Sequence, residues 1–117
     1  SRIDWWGIDA NRQECFIEVK SVTLADDKCG YFPDPVSQRA HKHLNELMQM
    51  TRDGHRAIQL YMVMHQGIES VTPAKHIDPK YAELCKQAES EGVEFYAVKC
   101  VITPQEIKLE RPVPVTL

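Results

Sequence analysis

The chain has 117 residues, of which 43% are hydrophobic and 26% are charged, with 14 basic against 17 acidic side chains and a net charge of −3. This composition is typical of one soluble globular domain. It excludes a disordered chain, a collagen-like chain and a strongly basic protein that binds nucleic acid by charge alone. The longest stretch without a charge, residues 57–68, is too short to span a bilayer. We therefore expect a cytoplasmic protein with no membrane partner.

Seven segments carry the periodicity of regular structure. The first two are strand-like, and the polar turn at 9–12 joins them into a hairpin. Each of the two helices is predicted to begin at an Asp-Pro pair, with the aspartate as N-cap and the proline as the first helical residue, and to end at a glycine. Residues 26–31 are predicted to form a polar loop. The predicted elements are strands at 1–8 and 13–24, a helix from Asp34-Pro35 to Gly54, a strand at 56–65, a helix from Asp78-Pro79 to Gly92, and strands at 93–102 and 106–110.

The order β-β-α-β-α-β-β predicts an α/β fold with one mixed central sheet flanked by helices. No internal repeat or linker interrupts residues 1–117, so we expect a single domain. The four cysteines at positions 15, 29, 85 and 100 are spaced too widely for a Cys-x-x-Cys motif, and we expect all of them to be reduced.

The second strand carries the residues most suited to chemistry. Glu18 and Lys20 share one face of this strand and are flanked on that face by Phe16 and Val22. Burying a carboxylate and an ammonium group is costly unless they are paired or bound to a metal. Asp4, on the neighbouring strand, supplies a second carboxylate. Two carboxylates can hold Mg²⁺ or Mn²⁺ and a lysine can orient a water, which together suffice for phosphodiester cleavage.

A Glu-x-Lys triplet alone has little specificity, because the chain contains a second one at 106–108. There we expect Ile107 and Leu109 to face inward and the charged residues to face solvent, so that triplet is assigned no chemistry. For Asp4, Glu18 and Lys20, the residue pattern leaves open a purely structural network of ion pairs.

Five segments, SRIDWW, FIEVKSVTL, YFPDPVSQRAHKHLNELM, HRAIQLYMV and HIDPKYAELCKQAESEGVEFYAVKC, cover nearly the whole chain. In this order they resemble the sugar fermentation stimulation protein family (SfsA). The resemblance implies a restriction-endonuclease-like core, similar to the PD-(D/E)xK nuclease superfamily. It also implies that the chain is the C-terminal portion of a longer protein whose N-terminal OB-like part is absent.

Carried over by position, Asp4 matches the first acidic residue of the nuclease motif, and Glu18 and Lys20 match the (D/E)xK pair. Asp4 follows Ile3 rather than a proline, which departs from the motif. On the following helix, Ser37, Arg39 and His43 belong to the family-like segment and are candidates to support the site or to bind phosphate. Their alternative role is packing within the core. The residues at 41, 42 and 45 are predicted to face solvent.

The resemblance implies a DNA-binding protein connected with the regulation of sugar (maltose) metabolism. Two functions follow: Mg²⁺- or Mn²⁺-dependent cleavage of DNA, or non-catalytic DNA binding by a regulator that keeps the nuclease fold. DNA is the expected partner in both, bound mainly without sequence specificity, and a homodimer is left open. Trp5 and Trp6 are adjacent and so face opposite ways; we expect one in the core, and an exposed one offers a ring for stacking on a base.

Overall fold

The computed structural model describes residues 4–117. Ten elements follow one another along this part of the chain. They are β1 (Trp5–Ile8), β2 (Glu14–Val22), β3 (Leu24–Asp26), β4 (Cys29–Phe32), α1 (Gln38–Arg52), β5 (Arg56–Val63), β6 (Ser70–Pro73), α2 (Pro79–Ser90), β7 (Glu94–Ile102) and β8 (Ile107–Val113).

Five strands form the main sheet, in the order β1-β2-β5-β7-β8. The outer pairs, β1 with β2 and β7 with β8, are antiparallel, whereas β2, β5 and β7 run parallel to one another. Each parallel crossover contains one of the two helices, as a parallel connection requires. The predicted mixed α/β sheet and its first hairpin are therefore confirmed, while residues 1–3 of the predicted first strand lie outside the described part of the chain.

Both helices pack on the same face of the main sheet. Leu44 and Leu47 of α1 and Leu84 of α2 form one buried cluster with Ala57 of β5. Tyr61 lies four residues after Ala57 on the same face of β5. Its hydroxyl makes a hydrogen bond of 2.5 Å with the hydroxyl of Tyr81 in α2. Among residues 4–117 no helix covers the opposite face.

A second, three-stranded sheet with the order β3-β4-β6 was not predicted. Its β3–β4 hairpin lies where a polar loop was expected, and the turn between the strands places Asp27 at a φ of 56°. Strands of three or four residues are too short to display a clear alternation, and polar turn residues dominate this segment. The small sheet packs against the main one, because Ile68 and Val71 share a core cluster with Val22 and Val63.

The start of α1 differs from the prediction. The N-cap is Ser37, whose hydroxyl accepts a hydrogen bond of 3.0 Å from the Ala40 N–H, and Asp34 lies exposed outside the helix. A tertiary contact fixes this position, since the Ser37 N–H donates to Asp78 at 3.1 Å. The start of α2 at Pro79, with Asp78 as N-cap, agrees with the prediction.

His41 is also placed differently from the prediction. It is buried, and its Nε2 atom lies 2.9 and 2.8 Å from the two carboxylate oxygens of Asp78. Helical spacing puts His41 on the same stripe as Leu44 and Met48, which are part of the core. The Asp78 carboxylate therefore joins the N-termini of both helices.

The last strand is exposed over most of its length. Ile107 and Leu109, expected to face inward, are both exposed, as are the charged residues beside them. The reason is that β8 is an edge strand and no helix of the described residues covers that side of it. The second Glu-x-Lys triplet thus begins just before an exposed edge strand.

Asp78→Ala should lower the free energy of unfolding by about 2–4 kcal/mol, because it removes a helix cap and leaves buried polar groups of Ser37 and His41 unpaired. Asp34→Ala is the matched control and should change the free energy of unfolding by less than about 0.5 kcal/mol. Urea unfolding of the two variants measures the difference. Equal effects would show that Asp78 does not clamp the helices.

Candidate functional site

The register of the first hairpin brings the predicted acidic residues to one face. Trp5 is paired with Ile17, so Asp4 lies beside Glu18, and both point to the face that carries the helices. The Asp4 Oδ2 atom accepts a hydrogen bond of 2.8 Å from the Val19 N–H. The carboxyl group of Asp4 is thereby held against β2 at the position of Glu18.

Glu18 is almost completely buried, with 1% of its surface exposed. Its Oε1 atom lies 3.1 Å from the Lys20 Nζ atom and 2.8 Å from the His43 Nδ1 atom. Below it in the sheet, the Gln59 side-chain amide donates a hydrogen bond of 3.0 Å to the main-chain carbonyl of Glu18. Three elements, β2, α1 and β5, therefore hold this one residue.

Lys20 connects the strand to the helix. Its ammonium group donates to Glu18 and lies 2.6 Å from the His43 Nδ1 atom. The lysine side chain is 14% exposed, whereas that of His43 is 1% exposed. Lys20 is thus the member of this group that solvent, or a ligand, can reach.

Burial dominates the electrostatics of the cluster. It raises the pKa of Glu18 above its ordinary value; Lys20 opposes this rise, and the nearby charge of Asp4 adds to it. Burial also lowers the pKa of His43, and the positive charges of Lys20 and Arg39 act in the same direction. The site therefore holds a carboxylate that is costly to ionise beside an imidazole that is costly to protonate.

Three buried polar atoms of this cluster lack a hydrogen-bond partner within residues 4–117: Glu18 Oε2, His43 Nε2 and Gln59 Oε1. Buried polar atoms are almost always satisfied in folded proteins. These three come from neighbouring side chains, because Glu18 is paired with Gln59 across the β2–β5 ladder. The buried polar atoms that lack a hydrogen-bond partner in the described residues are therefore grouped around Glu18.

The other predicted residues lie on the first turns of α1. Arg39 is exposed, has no ion pair within the described part of the chain, and lies close enough to His43 to affect the pKa of that histidine. Ser37 caps the helix with its hydroxyl and holds Asp78 with its N–H. The structure thus brings Asp4, Glu18, Lys20 and His43 together, with Arg39 at the margin and Ser37 engaged in helix capping.

Sequence reasoning missed Gln59. Its position in an otherwise apolar strand, between Ile58 and Leu60, was the available signal, because a lone amide inside a buried strand needs a specific partner. Within residues 4–117, no group of three His, Cys, Asp or Glu residues has the geometry to hold a metal alone. No helix of this part of the chain is long and apolar enough to cross a membrane.

Glu18→Gln should raise the free energy of unfolding by about 1 kcal/mol at pH 8, because the variant removes a charge that burial disfavours. A raised pKa destabilises the folded state only at a pH above the ordinary glutamate pKa near 4.5. Above that pH the free energy of unfolding falls until the pH passes the raised pKa. The advantage of the variant should therefore disappear near pH 4. Thermal unfolding across this pH range measures it, with Glu106→Gln as the exposed control.

A Glu18→Gln variant that is less stable than the parent at pH 8 would contradict this prediction. That result would mean that the contacts with Lys20 and His43 outweigh the burial of the charge.

Comparison with known proteins identifies the relatives of the chain. Residues 1–106 match the family model described as "Sugar fermentation stimulation protein RE domain". A sugar fermentation stimulation protein homolog of Idiomarina loihiensis is 75% identical over 117 residues, which are all of this chain and 50% of that protein. A homolog from Shewanella sp. (strain MR-4) is 54% identical over 115 residues, covering 98% of this chain and 49% of that protein.

The chain also resembles a solved structure, that of Pyrococcus furiosus SfsA in complex with Ca²⁺. The TM-score is 0.91 at 32% sequence identity, over 100% of this chain and 51% of the other. This chain spans about half the length of the relatives it matches. The match over residues 1–106 confirms the resemblance predicted from the sequence segments, and the chain belongs to the sugar fermentation stimulation protein (SfsA) family.

Proposed function

We propose that this domain binds DNA and cleaves a phosphodiester bond with the help of Mg²⁺ or Mn²⁺ held by Asp4 and Glu18. The observation that carries the proposal is the buried Glu18 carboxylate, which has one oxygen without a hydrogen-bond partner among residues 4–117 and lies beside a second carboxylate. Leaving such a group unsatisfied costs about 1–3 kcal/mol, and more when it is charged. A functional site is where a fold retains a cost of this kind.

The donor set fits a hard divalent cation. Carboxylate oxygens are the ligands that Mg²⁺ and Ca²⁺ prefer, and Mg²⁺ is commonly held by one or two carboxylates together with waters and substrate phosphates. Two carboxylates match that mode of binding, and no third His, Cys, Asp or Glu among residues 4–117 completes a metal-binding group. The related Pyrococcus furiosus protein was solved with Ca²⁺, which supports a site for a hard cation in the family.

When bound, the cation would offset charge on the reacting phosphate and lower the pKa of a water ligand. The residues of the chain have separate roles. Lys20, whose side chain is 14% exposed, would hold the attacking water or a phosphate oxygen with its ammonium group. His43 acts as a positioning residue, because its Nδ1 atom lies 2.6 Å from the Lys20 ammonium and 2.8 Å from the Glu18 carboxylate.

Arg39 is suited to binding a phosphate of the DNA backbone. Its guanidinium is exposed, makes no ion pair with any residue from 4 to 117, and stands on the first turn of α1 near His43. A free arginine can form two parallel hydrogen bonds to phosphate. DNA would thus approach the site across the N-terminal end of α1.

Glu18→Gln should weaken Mn²⁺ binding at least tenfold by calorimetry, because it removes a carboxylate ligand. Lys20→Ala removes no ligand and also removes a positive charge beside the cation, so it should weaken metal binding less. Both variants should lower the nicking of supercoiled plasmid with Mn²⁺ by at least about a hundredfold, because each removes a group needed at the reacting phosphate. The matched controls are Glu106→Gln and Lys108→Ala, the same residue types in the exposed triplet, and both should behave like the parent.

The assay is run on this chain and on the intact Idiomarina loihiensis relative, with chelator as a blank. Nicking that survives both substitutions would indicate a contaminant and would remove Glu18 and Lys20 from the proposal. Binding of metal and DNA without nicking by either protein would overturn the cleavage step. The domain would then be a non-catalytic DNA-binding regulator.

Arg39→Gln should weaken DNA binding and reduce the slope of log affinity against log salt by about 1, because one phosphate contact is lost. Arg12, which is exposed in the turn between β1 and β2 and far from Glu18, gives the control Arg12→Gln. Fluorescence anisotropy with a labelled oligonucleotide between 50 and 200 mM salt measures both. Equal slopes for the two variants would contradict a specific role for Arg39.

A further inference from the structure

Two adjacent tryptophans, the only two in the sequence, lie on opposite faces of β1. Both are 52% exposed, so neither is core, contrary to the prediction that one would be buried. Their pairing distinguishes them. Trp5 is paired with Ile17 and faces away from the helices, whereas Trp6 is paired with Phe16 and shares the face of Asp4 and Glu18.

The environments of the two rings differ as well. The Trp5 ring lies over Gly7, since a Cβ added at that glycine would collide with the Trp5 ring. The Trp5 ring therefore packs against the backbone of its own strand. Trp6 instead stands beside Phe16, whose ring makes an edge contact with His55 at a centroid distance of 5.4 Å.

The position of Trp6 relative to the carboxylates matters for a ligand. Trp6 is two residues beyond Asp4 on the same face, a separation of about 6.6 Å along a strand. Consecutive stacked nucleotides of one strand are about 3.4 Å apart. A base stacked on the Trp6 ring would therefore belong to a nucleotide at, or one or two steps from, the phosphate at Asp4 and Glu18.

An exposed aromatic ring beside a phosphate site favours one class of nucleic acid. A ring can stack on a base only when that base is not already stacked and paired within a duplex. The chain also has a net charge of −3, so charge alone gives it little affinity for a nucleic-acid backbone. Stacking would supply affinity that charge does not.

We propose that Trp6 is the stacking platform for an unpaired base and that the substrate of the Asp4–Glu18 site is single-stranded DNA. This inference rests on the proposed function, and it adds the class of substrate and a residue that selects it. Trp6 acts on the strand through its ring and takes no part in the bond-breaking step. Trp5, equally exposed on the other face, makes no contact with the strand.

The test uses the two tryptophans as separate reporters. Trp5→Phe leaves Trp6 as the sole indole, and Trp6→Phe leaves Trp5. Each is titrated with a single-stranded deoxyoligonucleotide in Ca²⁺ buffer, and anisotropy of a labelled strand measures binding independently. The Trp6 emission should be quenched on binding and the Trp5 emission should not. An oligomer of the same charge made of base-free deoxyribose phosphate should quench neither.

Affinity gives the second readout. Trp6→Ala should weaken single-strand binding by about tenfold, within the range known for loss of base–aromatic stacking, and should abolish the preference for single strand over duplex. Trp5→Ala should change affinity less than twofold. Strand binding that is unaffected by Trp6→Ala, with equal responses from both indoles, would overturn the stacking proposal and leave the proposed function standing. Absence of DNA binding by the parent would overturn both.

Discussion

The parallel ladder between β2 and β5 is the constraint on which the remaining structure depends. It pairs β2 with β5 along the whole length of β5, from Arg56 to Val63, and sets Glu18 opposite Gln59 in the centre of the sheet. Because the strands are parallel, the connection between them must cross over, and that crossover contains α1. The same ladder therefore buries the carboxylate and returns His43 to within hydrogen-bonding distance of it.

The cluster around Glu18 illustrates how a fold can retain locally unfavourable chemistry. Apolar packing of α1 and α2 against β5 supplies the stability, while Glu18, His43 and Gln59 each keep a polar atom that no residue of the described part of the chain satisfies. A buried ion pair contributes little to stability once the loss of hydration is counted. Stability therefore gives little reason for burying this carboxylate, which is why Glu18 is the centre of the proposed function.

The sequence predicted the helices and strands that are long enough to show a clear hydrophobic periodicity. It also predicted the charged site residues that are flanked by apolar residues on their own face of a strand. Glu18, a carboxylate flanked on its own face by Phe16 and Val22, could be predicted as buried because the local pattern has no other explanation. Local patterns could not predict what depends on distant partners: the N-cap at Ser37 rather than Asp34 requires Asp78, and the burial of His41 requires the same carboxylate. For Gln59 the local pattern offers a signal, a lone amide in an apolar strand, but its partner lies 41 residues earlier in the chain and could not be predicted.

That separation has a consequence for the order of events during synthesis. All the charged members of the cluster lie between Asp4 and His43, but the strand that removes water from Glu18 is completed only at Val63. At about 5–20 residues per second, β5 follows Glu18 from the ribosome after a few seconds, and non-local strand pairing is slower than local helix formation. In a nascent chain Glu18 is therefore hydrated and has the ordinary acidity of a glutamate. The chemistry of the buried carboxylate belongs only to the finished fold.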